Sequence, residues 1–158
     1  MGIALTTAGV TFSYAVESTK DSRPTSGYTE IPDVKEIAEM NPEPEALETT
    51  VLSETKFKTY IGGLKDLGGT LSFLANYTTD LEEIWSNLIT EYKAAKDADK
   101  AVWFEIKHPE LDKSVFFKGQ PSAMGLPAMS VNSVLETNLY ITPTNAPKWE
   151  TKSTSTGA

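Results

Sequence analysis

The chain of 158 residues has no cysteine and one histidine, His108. Without thiols it forms neither disulfides nor thiolate metal sites, and a reducing site of synthesis suits it. Zinc needs three or four His, Cys or carboxylate ligands in register, and this chain cannot supply a usual set. Long apolar runs are missing too. No window approaches the roughly 18 apolar residues of a membrane helix, and the opening MGIALTTAGVTF lacks the basic stretch and apolar core of a secretory signal. The expectation is a soluble chain that is not conventionally secreted and has no membrane partner. Positive charge is also scarce: 14 Lys and Arg stand against 22 Asp and Glu, a net charge of −8. Such a surface repels phosphate backbones, which argues against an ordinary DNA or RNA binder.

What is present reads mainly as strand. Residues 10–16 (VTFSYAV) alternate with Val10, Phe12, Tyr14 and Val16 on one face, the period of a half-buried strand. Residues 17–27 are small, polar and breaking, hence a surface loop. A strand is expected around residues 34–38, after which Asn41-Pro-Glu-Pro-Glu breaks regular structure and an extended excursion runs through Thr55. Residues 57–61 alternate again, and the Gly pairs 62–63 and 68–69 mark flexible points around LKDL. Residues 70–77 (TLSFLANY) give a clean strand. Residues 79–95 form the one helix, with Leu81, Ile84, Trp85, Leu88, Ile89 and Tyr92 in a single stripe and Thr79 with Glu82 as a capping box.

Residues 101–107 and 114–118, separated by HPELDK, suit a hairpin. Residues 119–127 read as a Gly/Pro linker, and residues 130–141 alternate with Val131, Leu135, Leu139 and Ile141 on one face. Beyond Pro143 the chain is too polar to order itself, so one domain over residues 1–158 is expected, with a flexible N-terminal arm 1–9 and C-terminal tail 143–158. No repeat of fixed period occurs. The expected fold is mainly β (α+β), a β-sandwich or barrel with one flanking α-helix.

Signals for chemistry are weak. His108 precedes Pro109 in a turn with no partner for acid–base work, so a solvated turn residue is the expectation. Between residues 30 and 54 eight acids face the lone base Lys35. Paired carboxylates serve glycosidases, yet acids in a Pro-rich excursion more often form a solvated or intersubunit surface. The glycine pairs lack the Gly-Lys-Ser/Thr and following helix of a phosphate cradle. No calcium-loop pattern is present. Trp103 lies on the opposite strand face from Val102, Phe104 and Ile106, and marks an interface or a second packed layer, with an interface favoured. No catalytic residue, cofactor or metal ligand is assigned, and the expectation is a non-enzyme.

Three ordered elements, YTEIPDVKEI, EALETTVLSET and YIGGLKDLGGTLSF, together with the helix bearing Trp85, the strand Trp103-Phe-Glu-Ile and the segment Pro127-Ala-Met, resemble the tail tube (major tail) proteins of long non-contractile-tailed phages. The resemblance covers about residues 8–142. It departs at Gly62-Gly63, where such proteins often carry a proline or another small residue, and no immunoglobulin-like domain follows. The resemblance implies a structural virion protein of the siphophage tail. Six copies would form a ring, and rings would stack head to tail into a tube for DNA ejection, with assembly in the host cytoplasm. It further implies tape-measure, tail-terminator and distal tail proteins as partners, and DNA passing through the lumen without specific binding. Ring stacking would fall to Glu43, Glu45, Leu47, Glu48, Val51, Leu52, Phe57, Tyr60, Leu64, Lys65 and Asp66, and Glu136 would face the lumen. The tube protein of a contractile injection system and a monomeric carbohydrate-binding β-sandwich with Trp103 as stacking platform are the alternative readings.

Overall fold

The computed structural model describes residues 2–65 and 69–154. The chain divides into two units, one of residues 1–38 and 70–158 and the other of residues 39–69. The larger is mainly β: β1 (Thr11–Val16), β2 (Thr29–Glu30), β3 (Val34–Glu36), β6 (Leu71–Asn76), α1 (Thr79–Asp97), β7 (Val102–Lys107), β8 (Lys113–Pro121), β9 (Glu136–Pro143) and β10 (Lys148–Thr151). The smaller holds β4 (Pro44–Glu48) and β5 (Tyr60–Lys65).

The strands of the larger unit run β2-β1-β7-β8-β9-β6-β3 in one curled antiparallel sheet, with β10 beside β8. Only residues 31–33 separate β2 from β3, so the two ends of the sheet are one bent segment. Its backbone bonds to both sides: Ile31 N donates to Phe12 O at 2.7 Å, and Asn76 N to Asp33 O at 2.9 Å. Pro32 sits at this bend, where no ladder donor is needed. The curl brings β1 against β6 across the interior. Phe12 stacks on Phe73 at 4.7 Å and on Phe104 at 5.7 Å, and Phe104 on Phe117 at 5.3 Å. With Leu71, Ala75, Leu139 and Ile141 these rings form the buried core, held by area removed from water and by ring geometry. The expected fold class, a β-sandwich or barrel with one flanking helix, is the fold observed.

Alternation in β6 and β9 is as the sequence predicts, buried and outward residues taking turns. β1 departs from it. Phe12, Ser13, Tyr14 and Ala15 are all buried, because an outer layer covers the second face. Glu17 builds that layer: its carboxylate accepts from Asp21 N and Ala101 N at 3.1 Å and from Trp103 Nε1 at 2.8 Å. Arg23 lies over the Phe116 ring at 4.2 Å, and Tyr28 donates to Pro24 O at 2.9 Å. Trp103 is therefore half-buried in a second packed layer of its own chain, and the interface favoured from sequence is not its place.

Four boundaries differ from the sequence reading. The helix N-cap is Thr78, whose side chain accepts from Leu81 N at 3.1 Å, rather than Thr79. The expected linker from Gly119 begins inside β8, where a Cβ on Gly119 would lie 2.5 Å from Ile141 Cγ2. The glycine lets β9 cross onto β8. Residues 130–135 are loop rather than strand, and Val131 is exposed. The segment beyond Pro143, read as unable to order itself, carries β10 in antiparallel register with β8, Lys148 opposite Phe116 and Thr151 opposite Lys113.

Candidate assembly surfaces

The smaller unit is a two-stranded hairpin, and the excursion expected to lack regular structure is its first strand. Pro44 opens β4, a strand position that tolerates a missing donor. Leu47 pairs with Ile61 and Glu48 with Tyr60. Gly62 and Gly63, read as flexible loop points, lie within β5. The register shifts between Pro44 and Ala46, which is a bulge on β5. A Cβ on Gly63 would sit 3.0 Å from Glu45 O and against Leu47, so close backbone approach is what this glycine supplies. At the far end Thr49 Oγ1 and Thr59 Oγ1 bond at 3.0 Å, and Glu54 accepts from Lys56 N and Phe57 N. Those backbone donors hold the Glu54 carboxyl below its ordinary value.

Every residue of β4 is exposed, and Leu47, Val51, Leu52, Phe57, Tyr60, Ile61 and Leu64 are all exposed, Leu64 at 88%. Both hairpin faces carry apolar groups: Leu47, Ile61 and Leu64 on one, Ala46 and Tyr60 on the other. An isolated two-stranded hairpin is marginal in water, and its exposed apolar groups are a candidate contact surface. The structure thus brings Glu43, Glu45, Leu47, Glu48, Val51, Leu52, Phe57, Tyr60, Leu64 and Lys65 into one arm; Asp66 lies outside the described residues. Ile61 belongs with them and was passed over in sequence, although its place in the alternation of residues 57–61 would have found it.

In the larger unit Glu136 is ion-paired with Lys35 at 2.8 Å, both partly exposed. A cleft of about 500 Å³ lies over β9 beneath the loop of residues 122–135, lined by Leu74, Leu126, Val134, Glu136 and Tyr140 among others. Leu126, Met129, Val131 and Val134 of that loop are exposed. The two chain ends are tied down by polar clasps. His108 bonds Thr6 O through Nε2 at 2.6 Å and accepts from Glu110 N at Nδ1 over 3.1 Å; the acceptor role at Nδ1 makes Nε2 the donor. His108 is therefore a fastener for residues 6–8 rather than a free turn residue. Glu105, fully buried, accepts from Ser153 N at 3.1 Å and from Ser153 Oγ, while Thr154 N bonds Thr25 O at 2.8 Å. No sequence signal marks either clasp, since each joins residues about fifty to a hundred positions apart or more.

Among the described residues no group of three or more His, Cys, Asp or Glu could hold a metal ion, and no helix is long and apolar enough to cross a membrane. The eight acids of residues 30–54 include no residue buried among hydrophobic walls, the setting that raises a carboxyl for acid catalysis.

No family model matches the chain, and no curated protein does. Among solved structures it is similar to a chain of the six-fold symmetrised cryo-EM structure of the anti-feeding prophage baseplate. The match has a TM-score of 0.61 and 11% identity, and covers 96% of this chain and 98% of that one.

Proposed function

We propose that the chain is a non-enzymatic structural subunit of a phage-tail particle. It forms six-membered rings that stack head to tail into the tail tube of a long non-contractile-tailed phage. The observation that carries the reading is the arm of residues 39–69, which presents apolar side chains on both faces of a hairpin while the larger unit has a complete core. A subunit that must bind the next copy needs such a surface, and head-to-tail contacts between unlike surfaces build open-ended stacks. The likeness to a prophage baseplate chain over nearly the whole length of both chains supports a place in such a particle, as does the six-fold symmetry of that assembly.

In this reading DNA is the cargo and binds nowhere. A net charge of −8 keeps a phosphate backbone off the wall. Glu136 is proposed to face the lumen, its ion pair with Lys35 fixing its position. Tape-measure, tail-terminator and distal tail proteins are the proposed partners, and the virion tail, assembled in the host cytoplasm, the proposed location.

The baseplate likeness equally favours the tube protein of a contractile injection system, which shares ring and fold but needs an outer surface that binds a sheath. A carbohydrate module loses its support, because the Trp103 ring is engaged by Glu17 and lies 5.6 Å from Lys118 Nζ. Electron microscopy of concentrated protein tests the reading. Rings or tubes about a hundred ångströms wide are expected, on the scale of subunits with a radius of gyration of about 15 Å. Persistent monomers would refute it. Particles imaged from producing cells then separate a bare tube from a sheathed one.

A further inference from the structure

We propose that β10 is the landing strip for the arm: the open edge of β10 in one copy takes strand β4 of a second copy, with Lys113 and Lys148 against Glu45 and Glu48. This rests on the reading of the chain as a self-assembling subunit and says where its arm lands.

Among the described residues β10 pairs only with β8, and β4 only with β5. Each strand therefore has one edge whose N–H and C=O groups face no partner, the template on which a further strand adds. The lengths agree, five residues in β4 and four in β10, and every residue of both is exposed. So does the charge. Residues 30–54 carry seven net negative charges, eight acids less Lys35, out of −8 for the whole chain. Around β10 stand Lys113, Lys148 and Lys152 against Glu150. Neither Lys113 nor Lys148 makes an ion pair among the described residues, and neither do Glu43, Glu45 and Glu48. Trp149, 59% exposed in the middle of the strand, supplies the aromatic anchor that interfaces favour, and Leu47 of β4 is the apolar group to meet it.

The competing surface is the cleft under residues 122–135. Its apolar lining would suit the arm, but its one charged lining residue is Glu136, an acid. An acidic strand entering there meets like charge, whereas at β10 it meets cations.

The test uses the full chain and charge reversal. Lys113→Glu with Lys148→Glu, and separately Glu45→Lys with Glu48→Lys, should each raise the concentration needed for assembly about a hundredfold, since like charges placed face to face are strongly disfavoured. Joining all four changes in one chain should bring assembly back to within about threefold of the original. Unchanged melting temperatures would show that each variant still folds, as exposed positions allow. If the β10 pair assembles normally while deletion of residues 45–65 abolishes assembly, the arm lands elsewhere and the subunit reading stands. If both pairs block assembly and the fourfold variant does not recover, the pairing is overturned. A parent chain that stays monomeric at every concentration removes the subunit reading and this inference together.

Discussion

Strands β6 and β5 have the same length and both carry large apolar residues, yet they stand in opposite environments. In β6, Leu71, Phe73 and Ala75 point into the core and are buried, with Phe73 stacked on Phe12. In β5, Tyr60, Ile61 and Leu64 are exposed, and among the described residues its one partner strand is β4. Burial of a large apolar side chain contributes about 1.5–3 kcal/mol, so the larger unit is held by its own core and the arm is not. This contrast is the ground of the proposal that the arm's apolar groups are used outside the monomer. A hairpin of two strands holds its shape poorly alone, and a second surface completes it.

The largest separation of the two regions should come from removing the arm. Replacing residues 45–65 by a short Gly/Ser linker is expected to abolish assembly entirely while leaving a cooperative thermal transition. Loss of that transition would mean that the arm supports the fold. Next, Phe104→Ala should cost about 3–5 kcal/mol in denaturant unfolding, whereas Phe57→Ala should stay within about 0.5 kcal/mol and instead weaken assembly. Equal stability losses at the two positions would erase the distinction. Gly119→Ala should then destabilise by about 1–3 kcal/mol through overpacking against Ile141, while an alanine at Gly62, which has open space around it, should be tolerated.

A smaller effect separates the regions by pH. Burial, with the Glu91 carboxylate beside Tyr14, pushes the Tyr14 and Tyr28 phenols above their ordinary value. The unfolded chain ionises them near pH 10 while the fold keeps them neutral. Stability is thus complete below about pH 10 and falls as pH rises beyond it, because the unfolded state gives up its protons first. Tyr28→Phe should flatten that alkaline slope in a titration of melting temperature. A slope unchanged by Tyr28→Phe and Tyr14→Phe together would place the alkaline transition elsewhere.

Most of the larger unit was legible because period-two burial writes itself into sequence. β6, β9, the β7–β8 hairpin and the helix stripe of Leu81, Trp85 and Leu88 follow directly from apolar spacing. The arm was legible as an exposed, acid-rich segment but not as a hairpin. Pro44 and the glycine pair read as breakers, whereas a strand start and a bulge accommodate them. Gly119 misled in the same way, because a close approach by Ile141 requires glycine for reasons no local pattern records. Trp103 pointed outward, as the alternation says, but its cover of Glu17 and Lys118 comes from tertiary structure. The clasps of Glu105 with Ser153 and His108 with Thr6 depend on long-range geometry and leave no periodic trace.

Hydrogen exchange measured on dilute and on concentrated protein tests the central claim most directly, since amide protection reports local opening region by region. Amides of β1, β6, β7 and β8 should be protected at both concentrations, while those of β4 and β5 exchange rapidly in the dilute sample and become protected on concentration. Protection of the arm in the dilute monomer, or its continued rapid exchange once particles have formed, would contradict the account.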